Sequence, residues 1–428
     1  MCLNARLSSY GTSQQWLQQF LPADTVDAAA MLDAMLLLNE EQVSAAIRSQ
    51  LYALADRRSG RRRRVALYVE REMEQKAFFR STITLDTKGK HHYRAMGRTG
   101  PPAVKPIRSG TRVGSEGLIA FVISQAKEAR PKIFMNQPGP DLLRGKTAPA
   151  GTIALVTDFI GSGSRLRSML DALWAVPTVR AWRSRGWVDF CVVAAAGTAA
   201  GMTSVRRHRL RPDVHVEHVA PTIVKVGDRR QAKRWFSLIN RYGPNAGRGA
   251  SRWGFGNSAA LIAFNYRLPN NTPALLHQST STWHALYDGP APDDLRPAFG
   301  LRRMSDVIAF AATNMGIRMP PGLDGPDAAT ILVLSAMRGR WRRGKEIALS
   351  EQTGMTTPDV MKIVLRALRA KLITNQGRLT DAGHQMLEAA RRPERKRPDI
   401  PTSTDPYYPS KLRTPRDSSS TRRPYGRP

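Results

Sequence analysis

The chain is expected to fold as an α/β protein on a mostly parallel sheet, with a helical segment before it and a compact helical unit after it. Three observations predict this. Short apolar runs rich in β-branched residues alternate with helical stretches from residue 65 to residue 266, the order that gives parallel strands with helices on both faces. Most of those runs are apolar throughout, as in strands buried on both sides. A Gly/Pro-rich stretch at about 319–326 then separates them from a region of helical spacing. The expected organisation is a helical segment at 1–60, an α/β domain at 61–318, a small domain at 327–390 and a tail at 391–428.

Taken in order, Trp16, Phe20, Val26, Leu32, Met35, Leu36 and Val43 recur at helical spacing, so residues 16–56 are expected to be helical. Residues 1–50 carry two basic and five acidic side chains, which argues against a nucleic-acid face there. The run RRSGRRRR at 57–64 is a linker or a basic patch. Expected strands are VALYVE (65–70), KIFMN (132–136), TIALVTDF (152–159), DFCVVAAA (189–196), VHVEHVA (214–220) and ALIAFNY (260–266), with helices at 117–128 and 166–174.

In the small domain a helix spans 327–337 and a second runs from about 344 to Gly354. Thr357 is expected to cap a third, with Pro358 at its first position, Asp359 in its first turn, and Val360, Ile363, Val364, Ala367 and Leu368 as its buried stripe. LIT (372–374), Asn375-Gln376-Gly377 and RLT (378–380) form a hairpin, and a last helix starts at Asp381. Three helices and a hairpin make a winged helix-turn-helix, whose third helix can enter the major groove. The tail has eight Pro, nine Ser/Thr and 11 basic against four acidic residues, so it is expected to be disordered and basic.

Sixty-six Lys and Arg face 34 Asp and Glu over 428 residues, a formal charge of +32. That excess points to a polyanionic partner, nucleic acid before membrane, or else to a generally basic composition. Cys2 and Cys191 are too few for a thiolate zinc site or a disulfide framework. His215 and His218 fall on opposite faces of a strand, so no metal site is expected. No apolar run reaches the roughly 20 residues needed to span a bilayer, and the N-terminus lacks a signal-peptide pattern. The expected location is the cytoplasm.

The chemistry concentrates in Asp158-Phe159-Ile160-Gly161-Ser162-Gly163-Ser164, at the carboxyl end of a strand, where open parallel sheets bind ligands. Gly161 and Gly163 allow backbone angles closed to other residues, so successive N–H groups can hold phosphate oxygens at the head of a helix. Ser162 and Ser164 add hydroxyl donors, and Asp158 can accept from sugar hydroxyls. Leu166 stands where a dinucleotide loop needs its third glycine, and no Lys follows Gly163 as in a Walker loop. The GRWRRGKE run at 339–346 has the Walker spacing, but Glu346 replaces Ser/Thr and the run follows a helix.

This loop resembles the phosphoribosyl-diphosphate loop of type I phosphoribosyltransferases. The resemblance implies that Gly161, Ser162, Gly163 and Ser164 take the 5′-phosphate and Asp158 the ribose, with Mg²⁺ accompanying a phosphoribosyl-diphosphate-like ligand. Thr157 stands where that family carries the first acid of a pair, which leaves one carboxylate in the motif. ALYVERE (66–72), GSEGLIAFVI (114–123) and GNSAALIAFNYRLPNNTPALL (256–276) are similar to phosphoribosyltransferase-like proteins of bacterial conflict systems. Those occur beside reverse transcriptases in retron anti-phage loci, some joined to a winged helix. Gly114-Ser115-Glu116-Gly117 is a candidate to receive diphosphate, although Ser115 also suits a helix cap. Asn270 and Asn271 are candidates to read an acceptor or cover the site, although they also suit a plain turn.

For nucleic acid the candidates are Arg342, Arg343, Lys345, Lys362, Arg366, Arg369, Lys371 and Arg378, in a unit with ten basic and six acidic residues. The stretch 206–252, with 12 basic and three acidic residues, is another. The resemblance implies an anti-phage effector held inactive by a reverse transcriptase and its RNA–DNA product. Two alternatives remain open at this level: a DNA-binding regulator that senses a phosphorylated ribose, and a nucleic-acid scaffold with a degenerate site. Self-association is compatible with each.

Overall fold

The computed structural model describes residues 6–391 apart from 59, 61, 74, 86, 88, 90, 104–114, 146–147, 226–228, 245–250, 301–303, 318, 320–322, 324, 338–340 and 343–344. The tail past Arg391, Arg343 and Gly114 therefore lie outside the described residues. The strands are β1 (Leu36–Leu38), β2 (Arg64–Val69), β3 (Ser81–Leu85), β4 (His91–Ala95), β5 (Phe134–Asn136), β6 (Ala150–Ile160), β7 (Asp189–Gly197), β8 (Asp213–Val219) and β9 (Ile262–Phe264).

Five of them form one parallel sheet in the order β5-β2-β6-β7-β8. The chain starts at β2, steps outward to β5, then crosses back to β6 and proceeds the other way. The reversal falls between β2 and β6, and it opens a crevice at their carboxyl ends.

The alternation of side chains explains the unbroken apolar runs. Ile153 and Leu155 of β6 point to one core, shared with Leu166, Met169, Leu170 and Leu173 of the helix Ser164–Ala175. Ala154 and Val156 point to the other, with Val43, Ile47 and Leu51 of the helix Glu40–Asp56 and Ile119, Val122 and Ile123 of the helix Ser115–Ala129. Both faces are covered, so every residue of β6 is buried.

The N-terminal region departs from the expected run of helix. Helices Gly11–Leu17, Pro22–Asp33 and Glu40–Asp56 are interrupted by β1. Pro22 suits a first helical turn, and Asn39 starts the third helix with a reciprocal capping box to Gln42. Leu36–Leu38 pair in parallel with β9, and they are apolar on both sides because Leu37 enters one core and Leu36 and Leu38 another. The run at 260–266 thus joins β1 rather than the main sheet. A further core unites Trp16, Phe20, Met31 and Leu32 with Trp235, Leu261, Leu275 and Trp283. Its aromatic rings meet edge-on, Trp16 to Phe20 at 4.8 Å and Phe20 to Trp283 at 5.1 Å between centroids. The N-terminal helices are therefore part of one body with the segment after β8. The antiparallel β3–β4 hairpin, whose side chains are largely exposed, carries no apolar run that would have announced it.

In the C-terminal unit, helices Met304–Met315, Gly325–Ala336, Glu346–Thr353, Thr357–Arg369 and Asp381–Arg391 surround one core. Ile308, Ala311 and Ala312 belong to it, so this core begins ahead of the Gly/Pro-rich stretch expected to bound it. The cap of the helix Thr357–Arg369, the third of the winged helix, is Thr356, whose hydroxyl accepts from the Asp359 N–H, and not Thr357. The Thr357 hydroxyl is used elsewhere: it donates to the Val216 carbonyl of β8, the last strand of the sheet. The hairpin is short, with one bridge between Ile373 and Leu379 and a turn closed by Gly377 at φ 74°. No helix among the described residues is long and apolar enough to cross a membrane.

Trp16→Ala should lower stability by about 3–5 kcal/mol, the usual cost of emptying a buried aromatic site. A downward shift of the urea midpoint with an unchanged slope checks it.

Candidate functional site

A cavity of about 530 Å³ occupies the crevice between β2 and β6. One wall is the loop that follows β6. Gly163 adopts φ 77° and sits at the cap position of the helix Ser164–Ala175, a geometry that disfavours any residue with a Cβ. Gly161 has no positive φ. It is glycine for space, because a Cβ there would overlap the Asn271 side chain. Behind the loop, Thr198 directly follows β7, caps the helix Ala199–Arg206 and donates its hydroxyl to the Gly161 carbonyl at 2.6 Å. Since the peptide is planar and trans, the Ser162 N–H points away from that helix. Among the described residues, the Ser162, Gly163 and Arg165 N–H groups meet no protein acceptor. The loop thus presents free donors at the positive end of a helix, the arrangement that binds phosphate.

The same cavity also presents acceptors. Asp158 is buried and accepts the Tyr266 hydroxyl at 3.1 Å. Burial and the Asp158 carboxylate push the Tyr266 hydroxyl far above its ordinary range, so it remains a donor. Glu70 directly follows β2, and its N–H continues the ladder to the Val156 carbonyl at 2.8 Å. Its side chain is 11% exposed and lies 3.6 Å from the Arg165 guanidinium. The Thr157 hydroxyl is 2.9 Å from Glu70 Oε2 and 3.3 Å from Asp158 Oδ1. Burial raises the Glu70 carboxyl to about 7, Arg165 opposes that, and Asp158 adds to it. Glu72, Arg267 and Phe255 also line the cavity.

Seven of the nine residues expected at the ligand site line this one cavity: Asp158, Gly161, Ser162, Gly163, Ser164, Asn270 and Asn271. Their roles in the fold differ. Asn271 is buried and spends its amide protons on the Phe255 carbonyl and the Ser258 hydroxyl, so it clamps the roof onto Gly161. Asn270 is exposed on the cavity wall. Ser115 and Glu116 do not line the cavity. Ser115 opens its helix as the first residue, and the Glu116 carboxylate stands 3.9 Å from Arg165 at the rim. The segment leaving β2, with Glu70, Glu72 and Met73, lines the cavity together with the glycine loop. The missed residues are Glu70, Tyr266, Arg165 and Arg267. Only Glu70 carried a signal, as an acid at the end of a strand.

Of the basic residues in the C-terminal unit, Lys362 pairs with Asp359 at 3.3 Å and Arg366 with Asp327 at 2.9 Å. Arg342, Arg369, Lys371 and Arg378 are exposed and make no ion pair among the described residues. Lys345 is exposed and engaged. His215 is partly buried and burial lowers its pKa. Among the described residues no group of three His, Cys, Asp or Glu side chains is placed to hold a metal.

A sheet of this order, with a donor-lined glycine loop at its reversal and carboxyls lining the same cavity, defines an α/β protein of the phosphoribosyltransferase type, followed by a winged-helix unit. Residues 13–288 match the family described as PRTase-CE, and the chain belongs to that family. Residues 331–414 match the family described as wHTH-PRTase associated. A comparison with curated proteins finds no match.

The raised Glu70 carboxyl sets the sign of one stability effect. A group that holds its proton more tightly when folded contributes stability below its unfolded pKa, near 4.5, and loses it as pH rises through about 7. Glu70→Gln should therefore match the wild type below pH ~4.5 and exceed it by roughly 2–3 kcal/mol above pH ~7. Thermal melts across that range check it.

Proposed function

We propose that the cavity binds a phosphorylated ribose of the phosphoribosyl-diphosphate or nucleotide type. The carrying observation is its mixed polarity: unpaired N–H donors of the glycine loop and the Asp158 and Glu70 carboxyls line one cavity. A phosphate needs donors and is repelled by carboxylates, whereas sugar hydroxyls need acceptors. A ligand that carries both an anion and hydroxyls satisfies both sets of groups. Membership in the PRTase-CE family supports the same reading.

Phosphoribosyl transfer is the reaction this arrangement suits. It demands that the ribosyl centre and its departing diphosphate be held in line, with little covalent help. The loop N–H groups anchor the 5′-phosphate, and Asp158, oriented by Tyr266, accepts from a ribose hydroxyl. Mg²⁺ would accompany the ligand, held by diphosphate oxygens and water, and would neutralise diphosphate charge. Asp158→Asn keeps the shape and removes the charge. It should weaken ribose 5-phosphate binding at least tenfold by calorimetry while inorganic phosphate binding persists. Equal weakening of both ligands would refute the assignment of Asp158 to the sugar end.

The winged helix is proposed to bind nucleic acid, DNA or an RNA–DNA hybrid. Third helices usually read bases with their N-terminal residues. Here that end is docked on β8 through Thr357, which favours Arg369, Lys371 and the wing residue Arg378. Lys371 occupies a left-handed position (φ 56°) in a helix-ending turn where glycine is unstrained, so a cation is kept there at a cost of about 1 kcal/mol. Replacing Arg369, Lys371 and Arg378 by Ala should reduce the slope of log affinity against log salt by about 0.9 per lost phosphate contact on duplex DNA. An unchanged slope would exclude this surface.

The biological setting we infer from the resemblance is a retron-type anti-phage system. The chain is its effector, restrained by a reverse transcriptase and its RNA–DNA product and released on infection. Loss of toxicity in Asp158→Asn, with folding and nucleic-acid binding retained, is the expected result.

A further inference from the structure

The register of the main sheet bears on the position where the expected acid pair is broken. Val69 of β2 pairs with Val156 of β6, and the next bond of that ladder is made by the Glu70 N–H. Glu70 and Thr157 are therefore cross-strand neighbours, on chains about 4.8 Å apart and on the same face. That face is set by the alternation, since Ala66 and Tyr68 share a core with Ile153 and Leu155. A carboxyl carried at 157 and one carried at 70 reach the same space. The Glu70 side chain occupies it, close enough for the Thr157 hydroxyl to bond it at 2.9 Å.

We propose that Glu70 is the second sugar-binding carboxyl of the cavity, supplied from the neighbouring strand, and that Thr157 is the bridge tying it to Asp158. This rests on the reading of the cavity as a ribose-phosphate site. The bridge has a consequence for protons. A hydroxyl has one hydrogen, so Thr157 can donate to one carboxyl and must accept from the other for both bonds to hold. Asp158 already accepts from Tyr266. Glu70 is the carboxyl that burial raises to about 7, so it is the one that carries the shared proton. The charged groups facing it are Arg165 from the helix Ser164–Ala175, Asp158 from β6 and Glu116 from the helix Ser115–Ala129. Glu72 and Arg267 lie on the same cavity wall. As pH rises through neutrality Glu70 changes from a proton holder to an acceptor for a ribose hydroxyl. The site then has two acceptors for two hydroxyls, and its sugar affinity becomes dependent on pH.

The test is calorimetric binding of ribose 5-phosphate and of inorganic phosphate to the full chain between pH 5.5 and 8.5, for wild type, Glu70→Gln and Thr157→Val. Both ligands change their own phosphate charge within this range, a phosphate monoester near pH ~6, so the quantity read is the ratio of wild-type to variant affinity at each pH. At pH 8 Glu70→Gln should bind ribose 5-phosphate at least tenfold more weakly than wild type. The two should converge at pH 5.5, and their inorganic phosphate affinities should be equal throughout. Once Glu70 is ionised the Thr157 hydroxyl donates to it, the shorter of its two contacts (2.9 against 3.3 Å), and this charge-assisted bond outweighs the one made by the protonated form, so Thr157→Val should move the midpoint of the wild-type profile upward. If Glu70→Gln follows the wild-type profile, the assignment of Glu70 is overturned while the cavity reading stands. If wild type binds ribose 5-phosphate no better than inorganic phosphate, the sugar reading itself fails and this inference fails with it.

Discussion

The site depends on the adjacency of β2 and β6. These strands are far apart in sequence, and the ladder between them, from Val65 with Thr152 to Val69 with Val156, brings their carboxyl ends together at the point where the strand order reverses. Past that point no helix crosses between them, so their last residues face an open crevice. Glu70 stands at the end of one strand, and Thr157 and Asp158 near the end of the other. The glycine loop follows immediately. A shift of one residue in this ladder would turn Glu70 to the opposite face and away from Thr157.

A second constraint holds the roof. Tyr266, Arg267, Asn270 and Asn271 all come after β9, which belongs to a small sheet with β1. The N-terminal helices anchor that sheet through the cluster around Trp16, Phe20 and Trp283. The first residues of the chain therefore take part in the site by carrying the segment that covers it. Contact between roof and loop is tight: Asn271 fills the space beside Gly161, and Gly256 lies where a Cβ would meet Ser162. Gly201 does the same from behind, since a side chain there would run into the Gly161 carbonyl. Three separate segments press on one turn, which fixes its donors before any ligand arrives.

The C-terminal unit covers β8, the free edge of the main sheet. Thr357 donates to the Val216 carbonyl, and Ile347 enters the core on one face of that sheet. A covered edge cannot pair with another chain. The same contact occupies the helix end that a winged helix ordinarily offers to a groove, and the exposed cations left over lie toward the other end of that helix and on the wing.

The class of fold, the strand runs at 65–70, 152–159, 189–196 and 214–220, and the glycine loop were legible because each is a local pattern. A strand buried on both faces must be apolar throughout, and a turn into a helix that holds an anion needs glycine. The motif also carried its apparent defect, Thr157. What tertiary structure alone decided is non-local. Leu36–Leu38 looked helical in isolation and became a strand because β9 offered it backbone partners. Gly161 is glycine because of Asn271, 110 residues away. The second carboxyl of the site was visible only as an acid after an unrelated strand, and strand order gave it its neighbour. Periodicity records which face of an element is buried; it contains no record of which elements pair, and the site is made from that pairing.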